Sequence, residues 1–354
     1  MKIIDEGVAE GVFPFARAEV LHRGNRVITA GNAPEAMLFD LASVTKVMST
    51  TAICLDLIKL GALDLSTPVI GVTVEDLLFH RSGLPAFLPF FAEALTTWPQ
   101  LQDDSCPGEV REAARAHVVA AASGTPRKPA GKAAVYSDLG FIILGELLAE
   151  RGGAPLDALF HRHVAEPLKL ENATYRRLSG KLDAPIFVAA TGATRPREPA
   201  PGQEGMWNVP TRPTRPAEVD DDNAWAMDGV SGHAGLFGTA RDVALYGQAV
   251  LEGRFALPPG CEWGPDRSTP GSTRALGFDT PSAEGASCGQ RFGRAGPRGA
   301  IGHLGFTGTS LWVDFDRELV VALCTNRVAL GRANVKIREY RPRFHDAVLA
   351  ELGL

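Results

Sequence analysis

The chain has 354 residues, of which 45% are apolar, and it carries a formal net charge of −5. This length suggests two lobes or one large domain with an insertion, and the apolar content is sufficient to bury a sizeable core. The slight negative charge and the lack of a long basic run argue against binding to nucleic acid or to an anionic membrane surface.

The N-terminal segment does not have the pattern of a secretory leader, because Asp5, Glu6 and Glu10 interrupt its apolar residues. No later run approaches the roughly 20 apolar residues that a membrane helix needs. Five cysteines are scattered without a C-x-x-C pair, which indicates neither a disulfide framework nor a zinc site. We therefore expect a cytoplasmic protein with reduced thiols; its oligomeric state cannot be read from the sequence.

The first part of the chain predicts two strands followed by helices. Residues 17–31 predict a strand pair around an Arg-Gly-Asn-Arg turn. Leu41 to Leu60 has almost no polar face and predicts a buried helix. Thr73 is the expected N-cap of a short helix, with Asp76 three residues later. Further helical patterns occupy residues 108–122, 138–151 and 155–167.

The second part of the chain alternates irregular and regular segments. Residues 192–222 are rich in Pro, Gly and charge, which is typical of a functional or mobile loop. Residues 253–298 are also irregular, and a helix is expected over 239–252. Strands at 309–314 and 318–325 and a helix at about 336–352 close the chain. Strands at both ends predict one sheet shared by the two termini, with a helical lobe inserted between them.

Ser43-Val44-Thr45-Lys46 stands at the start of the predicted buried helix. Residues three apart share a helical face, so Ser43 and Lys46 can touch. A serine hydroxyl needs a base before it becomes a nucleophile, and amides at a helix N-terminus favour developing negative charge. The motif alone is weak, and by itself it fits an ordinary first helical turn better.

Two further segments carry chemistry. Tyr136-Ser137-Asp138 precedes a helix, so Asp138 could be its N-cap and Tyr136 a half-buried core residue, or Tyr136 could accept the proton of Ser43. His303 opens the segment His-Leu-Gly-Phe-Thr-Gly-Thr, where glycines allow close approach to the backbone. That segment fits a glycine-rich turn with a surface histidine and a substrate-binding edge equally well.

The three segments together, in this order, resemble the serine β-lactamase and penicillin-binding protein superfamily, and most closely its class C β-lactamase-like branch of esterases, D-peptidases and D-aminopeptidases. The resemblance extends over nearly the whole chain. It is carried by the segments FDLASVTKVMSTTAICLDLIKLGALDLSTPV, TVEDLLFHRSGLP, YSDLGFIILGELL, EPLKLENATY, SGHAGLFGTARDVALY and GHLGFTGTSLWVDF.

This resemblance implies a mixed α/β (α+β) fold of two lobes with a cleft between them. An antiparallel sheet flanked by helices would comprise residues 1–60 and 240–354. A mostly helical lobe would comprise residues 61–239, including the Pro- and Gly-rich loop 192–222. The resemblance implies no cofactor and no metal. It implies a small ester, amide or lactam substrate that acylates a serine.

The resemblance also assigns roles to individual residues. Ser43 resembles the acylated serine, Lys46 the lysine that polarises it, and Tyr136 the general base. The oxyanion hole would be formed by the N–H groups of Ser43 and Phe306, the latter following Gly305.

Two departures from the family pattern change the expected chemistry. Asp138 stands where the family often has Asn, and its charge should keep Lys46 protonated, leaving Tyr136 as the base and Lys46 to hold a tyrosinate. His303 stands where β-lactamases have Lys, and Leu304 replaces a small polar residue. Both changes weaken recognition of a substrate carboxylate, so an esterase or a D-peptidase is expected before a β-lactamase or DD-carboxypeptidase.

Other interpretations remain open. A non-catalytic relative could bind a peptide or cell-wall fragment in the same cleft, and an acyltransferase could pass the acyl group to an alcohol or amine. An α/β-hydrolase is disfavoured because the chain has no G-x-S-x-G. His233 is expected to be a packed histidine between glycine turns, and Asp220-Asp221-Asp222 is expected to be a solvated acidic loop rather than a metal site.

Overall fold

The structure is a computed structural model that describes residues 1–180, 187–199, 209–215 and 217–354. Its strands are β1 Ala16–His22, β2 Asn25–Gly31, β3 Phe39–Asp40, β4 Pro68–Val69, β5 Val72–Thr73, β6 Thr174–Tyr175, β7 Thr194–Arg195, β8 Arg212–Pro213, β9 Leu236–Gly238, β10 Ala300–Leu304, β11 Ser310–Asp314 and β12 Leu319–Thr325. Its α-helices are α1 Lys2–Ala9, α2 Ala52–Lys59, α3 Val74–Leu78, α4 Phe90–Thr97, α5 Gly108–Gly124, α6 Asp138–Gly152, α7 Leu156–Phe160, α8 Glu166–Leu168, α9 Asp222–Ala226, α10 Ala240–Leu251 and α11 Ile337–Glu351. Shorter helical segments are π-helical at Lys46–Thr51 and His161–Ala165 and 3₁₀ at Pro99–Gln102 and Arg327–Leu330.

The main sheet has five strands in the order β10-β11-β12-β1-β2, and all its neighbours are antiparallel. Val20 of β1 lies opposite Val321 of β12, so the two ends of the chain pair in the middle of the sheet. The expectation of one sheet built from both termini is confirmed. The register of β1 against β2 shifts between Val20 and Leu21.

Helices cover both faces of this sheet. The terminal helices α1 and α11 lie against one face over an apolar cluster, in which Tyr340 meets Phe13 edge-on with ring centroids 5.0 Å apart. Helix α10 lies against the other face. A Cβ atom on its Gly247 would come within 2.5 Å of Val320, so the absence of a side chain allows the helix to approach. Because both faces are covered, five of the seven residues of β1 are buried.

The residues between these ends are mostly helical, as predicted. The α3 helix begins with a full capping box between Thr73 and Asp76, and α5 and α6 end within two residues of the expected positions. A small sheet in the order β3-β9-β6 connects residues 39 and 40, just before Ser43, to residues 236–238. The boundaries of the two lobes at residues 60 and 240 stay a prediction.

Two predicted elements differ in the structure. The helix expected from Leu41 has non-helical residues at 41–43 and then π-helical turns over Lys46–Thr51. The loop 192–222 is not uniformly irregular: β7 pairs with β8, with Arg195 opposite Arg212. Part of that loop prediction, residues 200–208 and 216, lies outside the described residues.

Candidate active site

Ser43 lies in a strained turn between β3 and the helical segment. The residue before it, Ala42, has a φ of +47°, a backbone conformation that costs free energy for a residue with a side chain. The Asp40 carboxylate stabilises this turn, because its Oδ1 accepts the N–H of Ala42 at 2.7 Å. The helix that follows is buried on all sides, so the half-buried Ser43 stands on a fixed base.

Lys46 is fully buried, and its ammonium group has three acceptors. Its Nζ donates to Ser43 Oγ at 3.1 Å, to Asp138 Oδ1 at 2.7 Å and to the His233 carbonyl oxygen at 3.1 Å. Burial lowers the pKa of Lys46, but the carboxylate of Asp138 raises it, and the net direction is upward. Lys46 is therefore a cation at neutral pH and is not a free base.

Tyr136 faces the same two side chains. Lys46 Nζ lies 4.8 Å from the centre of its ring, and Lys46 and Ser43 both act to lower the pKa of its phenol. Burial raises the pKa of Tyr136 and the Asp138 charge adds to this, whereas Lys46 lowers it; the net direction is upward. As expected, the Lys46 charge lowers the pKa of Tyr136, but burial has the larger effect and raises it. The free protein therefore holds Tyr136 as a phenol at neutral pH.

The loop after β10 brings two more expected residues next to Ser43. Gly305 donates its N–H to the Thr309 carbonyl at 2.8 Å, and a Cβ atom on Gly305 would come within 2.0 Å of Thr309 Oγ1 and 2.6 Å of the Leu41 carbonyl. The N–H groups of Ser43 and Phe306 have no hydrogen-bond acceptor among the residues that the structure describes. Ser43 and Phe306 line the same cavity, and two unpartnered amides in one cavity are what an oxyanion hole requires.

His303 is buried, not a surface residue, and it is neutral. Its Nδ1 lies 3.0 Å from the Leu304 carbonyl oxygen, which can only accept, so Nδ1 carries the proton and Nε2 keeps its lone pair. Nε2 has no partner within the described part of the chain. Burial and the positive charges of Lys46 and Arg274 hold the pKa of His303 well below its usual range.

These residues line one cavity of about 380 Å³. Ser43, Tyr136, Asp138, His303, Gly305 and Phe306 are all on its wall. The structure thus brings together the residues that the sequence singled out, and Lys46 lies beneath them. Phe306 has 42% of its surface exposed, and its ring faces the Arg327 guanidinium at 4.4 Å.

Asp138 is not the N-cap of α6. Ser137 has that position and accepts the N–H of Gly140, which leaves the carboxylate of Asp138 free to bind Lys46. The expectation that His233 is a packed histidine agrees with its burial, but its carbonyl has a role that the sequence did not reveal, since it accepts from Lys46.

The interpretation of residues 220–222 as a solvated acidic loop is wrong. Asp220 and Asp222 are buried and form ion pairs with arginines, among them Arg332 to both carboxylates at 3.3 and 3.0 Å. Asp221 caps α9 and accepts from His233 Nε2 at 2.8 Å. All three aspartates line the cavity. Buried arginines from distant parts of the chain neutralise the charges of Asp220 and Asp222. No local sequence pattern indicates which arginines these are.

Two other residues at the site were missed. His80 lies against the Tyr136 ring, with centroids 4.7 Å apart, and its Nδ1 accepts the Ser137 N–H at 3.1 Å. Arg274, from the irregular segment 253–298, places its guanidinium 5.1 Å from the centre of the Tyr136 ring and pairs with Asp279 at 3.1 Å. His80 lies within the segment that carried the family resemblance, so that resemblance was the signal available for it. Nothing in the sequence singled out Arg274.

Across the described residues, no group of three or more His, Cys, Asp or Glu side chains could hold a metal ion. All five cysteines are free. None of the described helices has the length and apolar character needed to cross a bilayer.

Comparison with known proteins agrees with this geometry. The sequence profile of the Beta-lactamase family matches residues 2–342. The chain belongs to the β-lactamase family. It is 29% identical over 318 residues to the N-acetylmuramyl-L-alanine amidase of Bacillus subtilis strain 168, covering 82% of this chain and 68% of that protein. The expected family and its mixed α/β fold are therefore confirmed.

Solved structures show the same fold. The D-amino acid amidase of Ochrobactrum anthropi SV3, in complex with D-phenylalanine, has a TM-score of 0.69 and 20% identity, covering 99% of this chain and 98% of that one. EstCE1, described as a hydrolase with promiscuous acyltransferase activity, has a TM-score of 0.62 and 18% identity over 96% and 97% of the two chains. This β-lactamase-family protein is a serine hydrolase.

Proposed function

We propose that this β-lactamase-family protein is an amidase or esterase that hydrolyses its substrate through an ester on Ser43. The observation that carries the proposal is the Ser43 hydroxyl, which accepts from the Lys46 ammonium at 3.1 Å and shares one cavity with the Tyr136 phenol and two unpartnered amides. A hydroxyl, a proton acceptor and amide donors in one cavity are the parts that acyl transfer needs.

The reaction begins from the minor form in which Tyr136 has lost its proton and Lys46 remains charged. The tyrosinate takes the Ser43 proton while Oγ attacks the carbonyl carbon, and the N–H groups of Ser43 and Phe306 stabilise the oxyanion. Tyr136 then gives that proton to the departing nitrogen or oxygen, and the C–N or C–O bond breaks. The same tyrosinate then takes a proton from water as the water oxygen attacks the ester carbonyl, and Tyr136 returns this proton to Ser43 Oγ as the ester C–O bond breaks and the acid leaves. Protons and electrons balance without a cofactor.

The cavity favours amides and esters over substrates that present a carboxylate near His303. Neutral His303 offers a lone pair at Nε2, and the nearby Arg274 has its charge compensated by Asp279. A carboxylate near His303 would face this lone pair, whereas an N–H donor would find an acceptor. The amidase activity in the name of the Bacillus subtilis relative, on an amide between a muramyl group and L-alanine, supports an amide of a cell-wall fragment or an amino acid amide as substrate.

Two alternative activities would use the same serine. The promiscuous acyltransferase activity of EstCE1 supports acyl transfer to an alcohol or amine as a second activity of the same acyl-enzyme. Hydrolysis of β-lactams or of D-alanyl-D-alanine would use the same serine with a less suitable cavity.

We also propose a cytoplasmic location, which the five free thiols support.

A substrate screen tests the proposal. Purified protein and the Ser43→Ala variant are compared on nitrophenyl esters, D- and L-amino acid amides, muramyl-L-alanine and a chromogenic cephalosporin, with and without an added alcohol acceptor. Turnover of an amide or ester that is lost in Ser43→Ala, together with a mass increase on Ser43 after a fluorophosphonate probe, is the expected result. Equal turnover by the variant would overturn the assignment of Ser43, and neither turnover nor labelling would favour a binding protein.

A further inference from the structure

The peptide group between Gly305 and Phe306 has both of its polar ends in unusual positions. Its N–H, on Phe306, has no acceptor among the described residues. Its carbonyl, on Gly305, accepts a hydrogen bond of 2.6 Å from the Nη2 atom of Arg341 on α11. The donor of the proposed oxyanion hole and the acceptor of the arginine are therefore two ends of one amide.

Arg341 has no carboxylate partner. It is buried and lines the cavity, its Nη2 also donates to the Thr309 carbonyl at 2.8 Å, and no Asp or Glu of the described ranges forms an ion pair with it. Burial lowers its pKa to about 9, and the charge of Arg327 adds to this, so the guanidinium still carries a charge at neutral pH. A buried unpaired charge is costly, and an apolar side chain could fill the same space.

The physical effect of this contact is polarisation. A charged donor on a carbonyl oxygen draws electron density from the amide, which makes the N–H of the same amide a stronger donor. The effect requires no movement, because Arg341 and the Gly308 N–H, which donates at 3.0 Å, already hold the Gly305 carbonyl. A positive charge behind the N–H also stabilises the negative charge that appears on the substrate oxygen.

We propose that Arg341 is a positioning residue that strengthens the oxyanion hole by polarising the Gly305–Phe306 peptide. The proposal rests on the proposed function, since it requires an acyl group on Ser43 whose oxygen binds the Phe306 N–H. Arg341 does not contact the reacting atoms. It acts through the amide.

Arg327 is a matched control within the same loop. Its Nε donates to the Phe306 carbonyl at 2.6 Å, and it is also buried without a carboxylate partner among the described residues. That carbonyl belongs to the next peptide, whose N–H is on Thr307 and does not serve the oxyanion hole. Loss of Arg327 would remove support from the loop but would leave the contact of Arg341 with the Gly305 carbonyl in place. A comparison of variants at Arg341 and Arg327 therefore distinguishes polarisation of the Gly305–Phe306 peptide from structural support of the loop.

The test is isotope-edited infrared spectroscopy of the acyl-enzyme formed with a cinnamoyl ester that carries ¹³C at its carbonyl. In the wild-type protein the carbonyl band lies at lower frequency than in the denatured acyl-enzyme, because the oxyanion hole polarises it. In Arg341→Met the band moves back toward the denatured value and deacylation slows roughly tenfold, less than the 10²–10³-fold that loss of a whole donor causes. Arg341→Lys, which keeps the charge, recovers part of both.

The outcomes separate the two proposals. No labelled band on the wild-type protein means that Ser43 is not acylated, and the proposed function fails. A wild-type band that is unchanged in Arg341→Met, or that moves equally in Arg327→Met, overturns the role of Arg341 and leaves the proposed function standing. If Arg341→Met does not fold, the comparison of Arg341→Lys with Arg327→Lys gives the same decision from the band position.

Discussion

The carboxylate of Asp138 lies 2.7 Å from the Nζ atom of Lys46, and this contact keeps Lys46 charged. It raises the pKa of Lys46 and also that of Tyr136. In Asp138→Asn both pKa values fall, so a base becomes available at lower pH. We expect the rise of kcat/KM with pH to shift toward neutral, measured between pH 6 and pH 10 on one ester.

Glu146→Gln is the control for this shift, since it removes one negative charge from the same helix, α6, where the carboxylate pairs with Arg115 and not with Lys46. Its pH profile should coincide with that of the wild-type protein. A profile of Asp138→Asn that also coincides would show that the Asp138 carboxylate does not control the base.

Tyr136→Phe removes the proton acceptor and keeps the ring that lies against His80. We expect kcat to fall by roughly 10²–10⁴-fold, the usual contribution of a general base, while the melting temperature changes little. Wild-type kcat/KM should rise as pH increases above neutral, because the pKa of Tyr136 is raised and only the ionised phenol acts. Retention of near-normal rates in the variant would remove Tyr136 from the mechanism.

His303→Lys would place an ammonium group where the structure has a neutral ring. A hydrogen bond to a charged group contributes about 1.5–3 kcal/mol, so we expect acylation by a chromogenic cephalosporin, which carries a carboxylate, to improve about tenfold or more relative to an uncharged ester. His303→Gln, which adds no charge, should leave that ratio unchanged. Similar ratios in the two variants would mean that charge at this position does not govern substrate choice.

Gly305→Ala would bring a Cβ atom within 2.0 Å of Thr309 Oγ1 and 2.6 Å of the Leu41 carbonyl. The loop must move, and the Phe306 N–H moves with it. We expect kcat to fall by about 10²–10³-fold, as when an oxyanion donor is lost. Gly108→Ala is the matched change, since nothing lies within 4 Å of its added carbon, and its kinetics should be those of the wild-type protein.

Asp40 links stability to pH. Burial and the Asp220 charge raise its pKa to about 7. The unfolded chain releases this proton near pH 4, but the folded protein keeps it until about pH 7, so the free energy of unfolding falls as pH rises across this range. Asp40→Asn lacks the titration. Relative to the wild-type protein its stability should therefore gain about 2–3 kcal/mol between pH 5 and pH 8, measured by urea unfolding. A constant difference would contradict the raised pKa.

The sequence predicted the elements whose pattern is local. The strand pair at residues 17–31, the capping box of Thr73 and the helices α5 and α6 needed only periodicity and caps. Only the family resemblance predicted that the expected site residues lie close together in the folded protein. The ion pairs of Arg332 with Asp220 and Asp222, and the contact of Arg341 with Gly305, join segments far apart along the chain, and arginine has no local pattern that indicates its partner.

The π-helical segment Lys46–Thr51 contains one more residue than an α-helical segment of the same length along the helix axis. Each residue of an α-helix advances the chain by about 100° around the axis, so this extra residue sets the rotation of the Ser43 turn relative to α2. Deleting one residue from the segment would let the helix become regular and would turn Ser43 and Lys46 away from Tyr136. The register of a single helix thereby decides whether the nucleophile faces its partners, independently of which amino acids are present.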